Sequence, residues 1–289
     1  MRPVRFEEKH MDTRVTVSVY APDTPALAAR SWRAFSVFAE YERRFSGFRH
    51  DSELTSVNLR AGLSVNISEN FNDVLGKALA VAAASDGAFD PLVGARTLPG
   101  RRVVNVGATW RDIDHDAVAG TVRLPPGTAL DLNAVVKGAA IDEALEALGG
   151  DEPAMIEAGG DMAVRSLPPG KDRWDIGIRD PRDPHRIVTV LPLQGGAICT
   201  SGEYLRGRMV AAEGREHLVG SSREFLSLSV IAPTAVQADS WSTAAYLMPT
   251  QEAMEFVERQ GGAVLAVDPR GTVLMSSVMR TLFVNRVNA

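Results

Sequence analysis

DLNAVVKGAAIDEALEALGGDEPAMIEAGGD, residues 131–161, reads as a helix bounded at both ends and followed by a strand. Asn133 stands where a helix cap is needed, Ile141, Ala144, Leu145 and Leu148 recur at helical spacing, and Gly149-Gly150 stops the run. Residues 154–157 then form a strand that ends on two glycines. Towards the N-terminus, Val15, Val17 and Val19 alternate with polar neighbours over 13–20, the period of a half-buried strand. Two amphipathic helices lie between: one carries Leu27, Ala28, Trp32, Phe35, Phe38, Ala39 and Tyr41, whose aromatics read as core, and the other Phe71, Val74, Leu75, Ala78, Leu79 and Ala82. Towards the C-terminus, strand-like segments recur at 174–178, 186–192, 225–231, 263–267 and 281–284, with helical stretches near 238–248 and 251–260. Strands and helices mix without strict βαβ alternation, so the expected class is α+β, with a mixed, largely antiparallel sheet and packed helices. Pro and Gly clusters at 98–100, 125–127 and 167–170 read as turns. Without internal repeats or a linker, residues 1–289 are expected to form a single domain.

Composition narrows the function classes. The 289 residues are 45% hydrophobic, enough for a sizeable core, and the net charge of -5 speaks against nucleic acid as the partner. A single cysteine, Cys199, excludes an intrachain disulfide and a cysteine-based zinc cluster. The first twenty residues are charged where a signal peptide needs an apolar run, and no apolar stretch approaches ~20 residues. The expectation is a cytoplasmic protein without a membrane span.

Five short segments carry polar chemistry, and each has a bland reading beside it. Ser85-Asp86-Gly87-Ala88-Phe89-Asp90-Pro91 follows a helix directly and is either a C-cap with a turn or a loop that grips a ligand. Asp131 to Gly138 enters a helix whose free N–H groups favour a phosphate, with Lys137 as an added cation or as an ordinary solvated lysine. Gly159-Gly160-Asp161 lets backbone approach a ligand and places a carboxylate beside it. Thr200-Ser201-Gly202-Glu203-Tyr204 gathers hydroxyls and a phenol, as a turn or as a set of donors. Asp239 and Thr243, four apart on a helix, either aim two oxygens at a hard cation or cap and back-bond that helix.

In this order the segments resemble the ApbE family of FAD:protein FMN transferases. Met11-Asp12-Thr13 resembles an early Met-Gly-Thr, and Phe45-Ser46 with Asp51-Ser52-Glu53-Leu54 and Asn58 resembles a Ser…Ser-Glu-Leu…Asn stretch. SDGAFDP, the KG at Lys137, GGD at Gly159, TSGEY at Thr200 and the AD…TA pattern from Ala238 to Ala244 complete the match, which spans most of the chain. The resemblance implies two intimately joined α+β lobes around an FAD cleft, with FAD as substrate and Mg²⁺ on its pyrophosphate. It assigns the metal to Asp239, Thr243 and the Val136 carbonyl, and flavin or phosphate contacts to Met11, Thr13, Asp90, Lys137, Gly159, Gly160, Ser201 and Tyr204. The implied partner is an acceptor protein bearing a threonine in a short flavinylation motif.

Two positions depart from the pattern. Where the family carries His-x-x-Asp-Pro this chain reads His217-Leu218-Val219-Gly220-Ser221-Ser222, so the histidine stays as candidate general base while the Asp-Pro pair is gone. Met-Asp-Thr replaces Met-Gly-Thr, adding a Cβ and a charge. Two further readings therefore stand beside the transferase: a Mg²⁺-dependent FAD pyrophosphatase giving FMN and AMP, and a non-catalytic FAD-binding or storage protein, with Glu213, Glu216 or Glu224 as candidate substitutes for the lost aspartate. A nicotinamide enzyme of Rossmann type is set aside, because no G-x-G-x-x-G follows the first strand.

Overall fold

The structure, a computed structural model, describes residues 2–98, 105, 107–202 and 224–284. Its spine is an eight-stranded sheet of β1 (Val4–His10), β2 (Thr13–Val19), β6 (Ala154–Ala158), β7 (Asp161–Arg165), β10 (Gly196–Gly202), β11 (Ser227–Ala232), β12 (Ala263–Val267) and β13 (Val273–Met275). The strands lie side by side in that order, antiparallel at every pairing. β1 has no counterpart in the sequence reading; its alternating charges mark an edge strand, and it pairs with all of β2.

Helices α1 (Pro25–Phe45), α3 (Glu69–Ala84), α5 (Asn133–Leu148), α6 (Ala235–Tyr246) and α7 (Thr250–Arg259) contribute to the main core with this sheet. Thr24 caps α1, with Pro25 in the first turn, and Ser68 caps α3. The short helices α2 (Glu53–Leu59) and α4 (Gly94–Thr97) accompany a small sheet of β3 (Ser64–Asn66), β5 (Thr121–Arg123) and β4 (Asp114–Asp116). Val65 and Val122 of that sheet belong to the same continuous core as Val15 and Val17, so both parts pack as one body. The second face of the large sheet meets a smaller core built by the hairpin β8 (Trp174–Asp180)–β9 (Asp183–Leu193) and by α8 (Ser277–Val284). β2 buries Thr16 and Ser18 along with its valines, where period-2 alternation implied a solvated face.

Three other expectations are corrected. Residues 281–284, read as a strand from their β-favouring composition, are helical. Met279, Leu282 and Phe283 reach the second core at helical spacing. Trp32, placed in the α1 core stripe, is 62% exposed. It lies roughly 140° around the helix from Leu27, outside the arc holding Phe35, Phe38 and Tyr41. Asn133 does not cap α5: Leu132 occupies the cap position, and the Asp131 carboxylate accepts from Asn133 N at 3.0 Å.

α5 is held at its far end by two arginines. Arg30 Nε donates to Leu148 O at 2.9 Å, and Arg165 donates to Leu145 O and Gly149 O at 3.2 and 2.8 Å, placing cations on the negative end of the helix. Its near end leads to the sheet end described next.

Candidate active site

One end of the large sheet gathers the polar segments. The hairpin β1–β2 turns there through Met11 and Asp12, both at positive φ (51° and 56°), and β6–β7 turns beside it through Gly159 and Gly160 (63° and 99°). The pairing Val15↔Ala158 brings the two turns side by side, and a Cβ on Gly159 would stand 2.6 Å from Thr13 Oγ1, so only glycine permits this approach. At Gly160 a Cβ would meet nothing within 4 Å, which leaves its backbone open. Met11 N donates to Glu42 on α1 at 2.8 Å, holding the non-glycine turn in place.

Asp161 begins β7 immediately after this turn. Its carboxylate accepts from Thr200 N of β10 at 2.7 Å and pairs closely with the Lys137 ammonium of α5. Lys137 also donates to Asp239 Oδ1 of α6 at 3.2 Å, and Gly138 N donates to Asp239 Oδ2 at 3.0 Å. Their side chains are 14% (Lys137), 5% (Asp161) and 4% (Asp239) exposed, so the lysine bridges two buried carboxylates where a solvated lysine was the bland alternative. Ser201 Oγ lies 2.9 Å from Ser242 Oγ and 3.3 Å from Thr243 Oγ1, joining β10 to the next turn of α6.

In α6 the cap and the back-bond to Asp239 are made by other residues. Thr234 caps the helix, leaving Asp239 in its interior, and the hydroxyl that bonds back to the Asp239 carbonyl is that of Ser242. Asp239 turns to Lys137 and Thr243 to Ser201, both on the site side of the helix. Val136 is buried just before Lys137 on α5. Asp90 is engaged elsewhere. Its two carboxylate oxygens accept from Leu92 N at 2.7 Å and Trp110 N at 3.1 Å, and burial pushes its carboxyl up. Its visible work is to tie the 85–91 loop, with Gly87 at φ 81°, to the turn at Trp110–Asp112. His217 and Tyr204 lie outside the described residues, as do Glu213 and Glu216. Glu224 accepts from Thr250 N at 2.6 Å at the start of α7.

Ser242 was missed as a site residue, and Asp161 was singled out in its segment without being assigned a contact. The carboxylate after Gly-Gly was a visible signal for Asp161, whereas nothing local distinguishes Ser242 from its neighbouring serine. The Cys199 thiol, fully buried between β10 and α6, is pushed well up by burial and further by the Asp239 charge.

The donors fit a hard cation. The side chains of Asp239, Thr243, Ser201 and Ser242 offer oxygen only, and two carboxylates against one ammonium leave an uncompensated negative charge in a buried setting. Among the described residues no group of three or more His, Cys, Asp or Glu could form a self-sufficient metal cage, so the remaining ligands would come from hydroxyls, backbone and substrate phosphate.

The sequence model of the ApbE family matches residues 11–267, from the first hairpin turn to the end of β12 and through every element of the site. The chain belongs to the ApbE family. It is 26% identical over 315 aligned positions to a Salmonella typhimurium protein named FAD:protein FMN transferase, covering 98% of this chain and 90% of that one. A Treponema pallidum protein of the same name is 27% identical over 277 positions, covering 81% and 75%. Among solved structures, the ApbE protein of Thermotoga maritima superposes with a TM-score of 0.84 at 22% identity over 97% of this chain and 99% of the other. The flavin transferase ApbE of Vibrio cholerae gives 0.78 at 22% identity over 96% and 98%. These two establish the shared ApbE fold.

Proposed function

We propose that this ApbE protein transfers the FMN moiety of FAD to a threonine of an acceptor protein and releases AMP. The observation that carries the reading is the buried Lys137–Asp161–Asp239 cluster, set beside Thr243 and Ser201 and an open Gly160 backbone. Asp239 and Thr243, with the Val136 carbonyl, would hold Mg²⁺. Bound there, the ion supplies charge neutralisation to the pyrophosphate oxygens.

The chain's own residues account for the rest. The turns at Met11–Asp12 and Gly159–Gly160, with Thr13, line the approach of the flavin nucleotide. Lys137 bridges both carboxylates and fixes them in position, so that Asp239 presents an oxygen without rearrangement. The acceptor threonine oxygen attacks the FMN phosphorus in line with the departing AMP oxygen; one P–O bond forms and one breaks, and the threonine proton passes to His217. The flavin ring keeps its oxidation state throughout.

One observation favours a second reading. Gly220-Ser221 in place of Asp-Pro removes a carboxylate three residues from His217, which favours a protein that holds FAD without turnover. Incubation with FAD and Mg²⁺, with and without a peptide or protein carrying the threonine motif, separates the readings. Flavin covalently on threonine with AMP released is the expected product. AMP with free FMN identifies a pyrophosphatase, and intact bound FAD a flavin-binding protein. Among the described residues no helix is long and apolar enough to cross a membrane.

A further inference from the structure

Asp239 and Thr243 owe their position to the way α6 is seated on α5. At Gly138 the two helices approach so closely that a Cβ would stand 2.4 Å from the Ala235 carbonyl oxygen and 2.6 Å from Val236 Cα. One turn further along the same face of α5, the Asp142 carboxylate accepts from Ala235 N at 2.7 Å and Val236 N at 2.9 Å. These are the first two N–H groups of α6. Thr234 takes the next two, its hydroxyl accepting from Gln237 N at 3.3 Å and its carbonyl from Ala238 N at 3.0 Å. In return, Gly138 N donates to Asp239 Oδ2 at 3.0 Å. The contact is reciprocal: a carboxylate of α5 grips the backbone of α6, and one turn away the backbone of α5 grips a carboxylate of α6.

We propose that Asp142 is a positioning residue for the candidate metal site, fixing the start of α6 along and around its axis and so setting where the Asp239 and Thr243 oxygens stand relative to Lys137. Its functional half rests on the metal reading given above. The tolerance is narrow. A slip of α6 by one residue is a shift of about 1.5 Å and a turn of about 100°, whereas a working site must hold its ligands to within about 0.5 Å. Gly138 blocks the slip by contact but does not select a rotation; the paired bonds from Asp142 to two successive N–H groups do. Because Asp142 already occupies the N-terminus of α6, that helix end is not free to receive a substrate phosphate.

A simple helix cap would lower thermal stability and leave the metal response where it was. The test uses the full chain with Asp142→Ala and Asp142→Asn, whose amide oxygen still accepts a hydrogen bond. Three quantities are read: the Gly138 amide resonance in a ¹⁵N–¹H correlation spectrum, the Mg²⁺ concentration for half-maximal FAD cleavage, and the KM for FAD at saturating Mg²⁺. In Asp142→Ala the Gly138 resonance is expected to move and the half-saturating Mg²⁺ to rise about ten-fold or more, with the KM for FAD changing less than about two-fold; Asp142→Asn falls between. A lowered melting temperature with both the Gly138 resonance and the Mg²⁺ response as in the wild type overturns the proposal. Asp239→Ala is the control for the underlying reading. If it keeps the wild-type Mg²⁺ response, the metal assignment fails, and the Gly138 resonance in the Asp142 variants alone decides whether Asp142 positions Asp239. Should Asp142→Ala not fold, Asp142→Asn supplies the same readouts.

Discussion

Replacing Lys137 with methionine removes the ammonium that stands between Asp161 and Asp239 while keeping most of the side-chain volume. Both carboxylates are buried, with 5% and 4% of their side chains exposed, so water cannot take over the role of the cation. The donors left to them in the cluster are backbone N–H groups, Thr200 N to Asp161 and Gly138 N to Asp239. Breaking a buried ion pair by removing one partner costs about 3–5 kcal/mol. At about 2–4 °C per kcal/mol for a chain approaching this size, the melting temperature should fall by roughly 6–20 °C. The assay is thermal unfolding followed by circular dichroism in EDTA, for Lys137→Met, for the Asp161→Asn/Asp239→Asn pair, and for the triple variant. The triple variant should recover much of the loss, because no buried charge is then left unpaired. A drop under about 2 °C for Lys137→Met would refute the argument that the ammonium holds the two carboxylates in their buried positions.

Asp239→Ala should abolish Mg²⁺-dependent turnover while FAD still binds, checked by AMP release and by equilibrium flavin fluorescence; undiminished turnover removes the metal assignment. His217→Ala should slow transfer by about 10²-fold or more with little change in FAD affinity, and an equal loss of both would mark a structural histidine. Restoring the family's segment with Gly220→Asp and Ser221→Pro should raise the rate of transfer to threonine, read as flavinylated acceptor formed over time; an unchanged rate argues against the missing pair as the cause. The Arg30 guanidinium, with two bonds of 2.9 and 2.8 Å, holds the Glu152 carboxyl at about 2, below its ordinary 4.5. A depressed carboxyl contributes stability above its unfolded value and loses it as pH falls. The stability gap between wild type and Glu152→Gln should therefore be full above about pH 4.5 and close by about pH 2, as urea titrations at each pH would show. A gap independent of pH would disprove the pairing.

Much of the fold was legible because its signals are local. The stripes of α1 and α3, the glycine stop after α5, and the short β-favouring runs each report on their own segment, and the lack of βαβ alternation pointed to antiparallel pairing. Errors arose where a neighbour overrode the local signal. β2 looks half-buried until the packing on its polar face is seen, and residues 281–284 look like a strand until Met279, Leu282 and Phe283 are seen to share one contact surface. In the site, Lys137, Ser201, Asp239 and Thr243 were named and are brought together, whereas the Asp90 carboxylate accepts from Leu92 N and Trp110 N and ties its loop to the turn at Trp110.

The sequence by itself determined the main helices, several of the central strands, and the order of polar segments by which the family is recognised. Tertiary structure alone decided which of those polar groups face each other. Lys137 meets Asp239 across 102 residues of chain, through the crossing of α5 over α6 at Gly138. It meets Asp161 because the β6–β7 turn and the β7/β10 register carry that carboxylate to the first turns of α5. No periodicity encodes such encounters, since each depends on the packing of elements distant in sequence, and it is that packing which turns one lysine and two scattered aspartates into one buried, charged site.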